Sequence, residues 1–199
     1  MARRRASVDL DAHVVDGLSA LRSSSVVVVG VDVGAMTGVA VAVGDVTGAT
    51  TWRWSTQDEP GLAVDALRIA LGGKAADLLV IEAPFTVSRE QMMEGRFKVT
   101  PTTLFAMGES SGYMKRALEP LSASHVVTWR PAASTWRSVL GLAGGRREEV
   151  NERVHRWAEA TLGYDVRTRR GLPAYDEANA VGMAHAGLHV ARSIMWRKP

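Results

Sequence analysis

Apolar residues occur in short unbroken runs early in this chain and at helical spacing later. Val26-Val27-Val28-Val29-Gly30-Val31 and Leu78-Leu79-Val80-Ile81 are continuous, as in strands covered on both faces. Val39-Ala40-Val41-Ala42-Val43 predicts a return strand, with Gly34 and Gly38 bracketing the turn before it. The alternation from Thr50 to Ser55 suits a half-exposed strand, so residues 25–56 predict a three-strand antiparallel meander. Leu62, Leu67 and Ile69 among alanines predict a helix over about 61–71, stopped by Gly72-Gly73. The second continuous run then forms a strand ending at Glu82.

Residues 85–101, with Arg89, Glu90, Arg96 and Lys98, read as a mobile loop containing a short helix. Thr102-Thr103 would cap a helix over about 103–118, whose Gly108, Ser111 and Gly112 would admit another backbone closely. His125 to Trp129 predicts a strand, and Pro131 starts a helical segment to about 141. Val150, Val154, Trp157, Ala158 and Leu162 stripe a helix over about 146–162. A basic loop, Arg167-Thr168-Arg169-Arg170, precedes a last helix over about 175–195. The expected fold is α/β: a mixed five-stranded sheet, its first three strands antiparallel, flanked by helices.

At 199 residues and 46% hydrophobic, the chain reads as one domain over 25–199 behind a polar extension, 1–24, that is flexible or partly helical. The absence of cysteine excludes disulfides, thiolate zinc sites and a cysteine nucleophile. Net charge is +3, carried almost wholly by arginine, with lysine only at 74, 98, 115 and 198. Arginine suits phosphate contact, and genomic composition accounts for it equally well. No apolar stretch reaches the roughly 20 residues that span a bilayer. Arg3-Arg4-Arg5 looks like the start of a signal peptide, but Asp9, Asp11 and Asp16 interrupt what should follow. The expectation is a cytoplasmic protein with no membrane partner.

Both continuous runs end in a carboxylate, Asp32 and Glu82. On neighbouring strands, spaced about 5 Å apart, such side chains stand close enough to hold a divalent cation. Asp176 and Asn179 share a face at the start of the last helix. Each residue also has an ordinary reading: Asp32 opens a turn, Glu82 leaves the sheet before Pro84, and Asp176 favours the helix dipole.

Three segments in order carry more: Gly30-Val31-Asp32-Val33-Gly34 with Thr37-Gly38, then Val80-Ile81-Glu82-Ala83-Pro84-Phe85, then Tyr175-Asp176-Glu177-Ala178-Asn179-Ala180 through Ala184. This ordered set resembles the RuvC-type Holliday junction resolvases of the ribonuclease H-like superfamily, in a phage or prophage branch, over about residues 26–190. The resemblance implies a magnesium-dependent crossover-junction endodeoxyribonuclease, a homodimer acting on branched DNA. It makes Asp32, Glu82 and Asp176 the catalytic metal ligands, with Asp32 bridging two Mg²⁺ (Mn²⁺ substituting) in phosphodiester hydrolysis. Asn179 stands where the family usually has a second helical acid; its amide oxygen could still ligate, or the duty could pass to Glu177. Phe85 matches a position where the family can set an aromatic against a base, and core packing is its other reading. Arg146, Arg147, Arg153 and the 167–170 loop are candidate backbone contacts.

Three rivals stand beside this reading: an RNA-processing nuclease of the same fold, a non-catalytic nucleic-acid-binding module, and an actin-like ATPase, for which the chain is too short. His185 and His189, at i and i+4, could bind a separate metal but lie too far along the helix from Asp176 to join its site.

Overall fold

Each valine in the first strand serves one of two cores. The computed structural model describes residues 10–21, 23–34, 36–83, 108–109, 112–114, 116–168 and 170–196. Its strands are β1 (Ser25–Asp32), β2 (Thr37–Asp45), β3 (Thr50–Asp58), β4 (Ala76–Ile81) and β5 (Ser122–Trp129), in the order β3-β2-β1-β4-β5. β1 pairs antiparallel with β2 and parallel with β4, β2 pairs antiparallel with β3, and β4 pairs parallel with β5. The expected mixed sheet with an antiparallel opening meander is therefore present.

The named helices are α1 (Ala12–Ala20), α2 (Pro60–Leu71), α3 (Ala133–Val139), α4 (Arg147–Leu162) and α5 (Tyr175–Met195). Side chains alternate across a strand, so Val26 and Val28 face one core with Leu78, Val80, Trp136 and most of α5. Val27, Val29 and Val31 face the other, with Leu67 and Leu71 of α2 and with Met114 and Leu118, which are buried and helical. Two covered faces explain why the runs are continuous rather than alternating.

Helix α5 crosses the sheet at backbone contact distance. A Cβ at Gly30 would overlap the carbonyl oxygen of Ala180, and one at Gly38 would overlap that of Asp176. Glycine at these two positions lets the helix start sit directly on β1 and β2. Ala178 and Ala180 are fully buried and complete the approach, as their small size predicts.

Four details differ from the sequence expectation. Gly38 is not a turn residue: it lies within β2, paired with Asp32, and the connection is 33–36. The segment expected as a polar leader contains α1, whose Val14 and Leu18 have no exposed surface and join the α5-side core. β5 begins at Ser122 rather than near 125. Among the described residues nothing lies within 4 Å of a Cβ at Gly108 or Gly112, while Gly182, against the Trp136 ring, and Gly187, against Val28 and Val80, carry close packing. The loop expected over 85–101, including Phe85, lies outside the described residues.

Candidate active site

The sheet register brings the first two acids together. Val31 of β1 is in register with Ile81 of β4, so Asp32 and Glu82 follow as the next residues of two parallel neighbours. The Glu82 N–H still donates to the Val31 carbonyl at 3.4 Å, and the Ala83 N–H donates to Pro131 at 2.9 Å, fixing where β4 ends.

The third acid arrives on α5. Gln57, near the end of β3, accepts the backbone N–H groups of Asp176 (3.1 Å) and Glu177 (3.2 Å) on its Oε1. This satisfies two of the orphan donors of the helix start and pins the first turn over the sheet edge. Asp32 then lies in the field of both Glu82 and Asp176. Burial first, then Glu82 and then Asp176 push the Asp32 carboxyl up to about 8 against opposing contributions from Asn179 and Arg137. Burial also raises Asp176.

Two donors orient these carboxylates. The Asn179 Nδ2 amide donates to Asp32 Oδ2 at 2.8 Å, while Arg137 donates to Asn179 Oδ1 at 3.4 Å. Arginine only donates and a carboxylate oxygen accepts, so the partners themselves fix which way the amide points. On the neighbouring residue, the Trp136 indole N–H donates to Glu82 Oε2 at 2.9 Å, and its fully buried ring anchors α3 in the core. Sequence reasoning missed both Trp136 and Arg137. One clue existed: a buried tryptophan needs a partner for its N–H.

The remaining sequence candidates fall elsewhere. Glu177 is buried on the other side of the helix start, where Ser55 Oγ donates to its Oε1 at 2.6 Å. Ser55 has spent its hydrogen, so the Tyr164 hydroxyl 2.9 Å away donates to Ser55. The structure thus makes Glu177 part of a packed polar network with Ser55 and Tyr164, apart from the field of Asp32. Asn179 is engaged at both ends of its amide, its Oδ1 accepting from Arg137 and its Nδ2 donating to Asp32. Arg153 donates to the carbonyls of Leu142 (3.0 Å) and Gly144 (2.9 Å), holding the loop before α4. Arg146 and Arg147 are exposed at the start of α4, where Glu149 accepts the Arg146 backbone N–H. His185 packs edge-on against Trp157, ring centroids 5.4 Å apart, and burial followed by nearby cations lowers its pKa to about 4.

The donor set of three carboxylates suits a hard cation such as Mg²⁺. Among the described residues, no three His, Asp or Glu side chains yet converge into a single coordination shell. The acids share one electrostatic field without being drawn together. No described helix is long and apolar enough to cross a membrane.

No family model and no curated protein matches the chain. A solved structure does: T. thermophilus RuvC in complex with Holliday junction substrate, with a TM-score of 0.53 and 16% identity, covering 84% of this chain and 96% of that one. With the observed strand order and its antiparallel opening, that likeness establishes the fold of this chain as ribonuclease H-like.

Proposed function

We propose that this protein is a divalent-cation-dependent, structure-selective DNA endonuclease that cuts four-way or other branched DNA. The observation carrying this reading is that Asp32 and Glu82 follow the parallel interior strands β1 and β4 side by side, in one field with Asp176, in a ribonuclease H-like fold. Asp32 rises to about 8 because burial, and after it the charges of Glu82 and Asp176, disfavour its ionised form, and a bound cation is the natural compensation. The matching solved structure is of a protein bound to a Holliday junction, which supports branched DNA as the substrate class.

Magnesium or manganese, when bound, supplies an ionised water and charge stabilisation on the scissile phosphate. This chain's residues do the rest. Asp32, Glu82 and Asp176 hold the cation, Asn179 fixes the Asp32 carboxylate, and Trp136 fixes that of Glu82. Arg146 and Arg147, exposed at the start of α4, are the residues proposed to contact backbone phosphates on this reading. A homodimer follows on this reading because two sites match the two-fold symmetry of a four-way junction. Placement in a phage or prophage branch rests on the motif resemblance alone.

The test is incubation of labelled four-way junction, linear duplex and RNA with Mg²⁺, alongside Glu82→Gln. Preferential junction cutting that leaves 5′ phosphates, abolished in the variant, is the expected result. Equal inertness of both proteins on every substrate, with Mn²⁺ as well, overturns the enzyme and leaves the binding module. Preferential RNA cutting moves the substrate assignment to RNA.

A further inference from the structure

Helix α5 starts without a cap of its own. The residue before it, Ala174, offers no side-chain acceptor, where serine, threonine, asparagine or aspartate is usual. The N–H groups that such a cap would take belong to Asp176 and Glu177, the second and third residues of the helix. Both donate instead to Oε1 of Gln57 on β3, 119 and 120 positions away along the chain. Only the oxygen of that side-chain amide can accept, so its two N–H partners fix which way it points.

Strand register gives this distant cap a second consequence. Asp32 pairs with Gly38 across β1 and β2, and Gly38 pairs with Gln57 across β2 and β3. Directly paired residues share a face, so the three form one row on the α5 side of the sheet. Strands lie about 5 Å apart, which puts Asp32 and Gln57 about 10 Å from one another with Gly38 between them. The Asp176 carbonyl occupies the place where a Gly38 Cβ would stand, while its N–H reaches Gln57 at 3.1 Å. Asp176 is thus seated between the first acid and the residue that caps its helix. Ser55, two positions earlier on the same face of β3, grips Glu177 by its carboxylate and leaves the backbone of Asp176 to Gln57.

We infer that Gln57 is a positioning residue: by capping α5 from β3 it sets where Asp176 stands in the row that carries Asp32, and so how tightly the three acids hold a cation. The inference rests on the nuclease reading and refines its site. Gln57 acts on the cation only through the backbone of Asp176.

The test compares Gln57→Leu with Ser55→Ala, which loosens the same helix turn without removing the acceptor of the Asp176 N–H. In chelator, hydrogen exchange of the Asp176 and Glu177 amides, resolved by NMR, should speed up in Gln57→Leu. Calorimetric titration of the whole protein with Mn²⁺ should show binding weakened about 10–100-fold in that variant, the usual loss when a partner that orients a metal ligand is removed. Ser55→Ala should keep the wild-type Mn²⁺ affinity, and Gln57→Glu, which retains an acceptor oxygen, should recover most of the loss. Gln57→Asn, which draws the oxygen back by one methylene, is read in the same way should Gln57→Leu not fold. Unchanged Mn²⁺ affinity in a folded Gln57→Leu or Gln57→Asn, or equal weakening in Ser55→Ala, makes Gln57 a stabilising cap only; that overturns the positioning role and leaves the nuclease reading intact. Absence of any Mn²⁺ binding that Asp32→Asn abolishes overturns both.

Discussion

Asp176 and Glu177 are adjacent in sequence and occupy opposite chemical worlds. Glu177 turns toward β3, where burial raises its pKa but a 2.6 Å hydrogen bond from Ser55, which Tyr164 supports in turn, opposes that rise. Asp176 lies in the field of Asp32, with no such donor to its carboxylate among the described residues, and burial raises the pKa of both. Glu177 is buried and Asp32, Glu82 and Asp176 are half-buried, but one region satisfies its charge with donors and the other accumulates it. Satisfied buried carboxylates stabilise packing, whereas unsatisfied ones await a ligand. The difference distinguishes these two neighbouring acids more sharply than their shared place in the motif does.

The sharpest way to break this comparison is a matched pair of isosteric substitutions. Asp32→Asn should slow single-turnover cleavage of a four-way junction by about 1,000-fold, the scale expected when several kcal/mol of charge stabilisation is lost. Glu177→Gln should stay within about threefold of the wild-type protein, because it sits outside the cation field. Similar losses in both variants would erase the distinction.

A smaller effect tests the satisfied side. Ser55→Ala removes the donor to Glu177 and strands the Tyr164 hydroxyl, so it should cost about 1–3 kcal/mol of stability. The denaturant midpoint should fall while cleavage per folded molecule is retained. If the midpoint does not move, the network is not holding α5 to β3.

The mildest test is pH dependence in chelator. Asp32 binds its proton more tightly folded than unfolded, so its contribution is complete below about pH 4 and is lost as pH rises through about 8. Asp176 and Glu177 are raised too and add to the same slope. Between pH 5 and 9 the metal-free wild-type protein should therefore lose more Tm than Asp32→Asn, by more than about 3 °C. Parallel melting curves would show that Asp32 is better hydrated than its surroundings imply.

Much of this protein is determined locally. The valine and leucine runs specify strands covered on both faces, the glycines at 72 and 163 end helices in the left-handed conformation, and the last helix spans the residues its pattern predicts. The acids at 32, 82 and 176 were legible because each closes or opens a periodic segment. Only the tertiary structure decided what surrounds them. Gly38 reads as a turn residue until α5 is laid across it, and Val14 and Leu18 look isolated until a second core surface meets them. Trp136, Arg137 and Ser55 have no periodic signature, since their partners lie 54, 42 and 122 positions away along the chain. Hydrophobic spacing encodes which face a residue presents to its own element. The charge environment of a carboxylate is set by side chains delivered from several elements, which exist as neighbours only after the chain has folded.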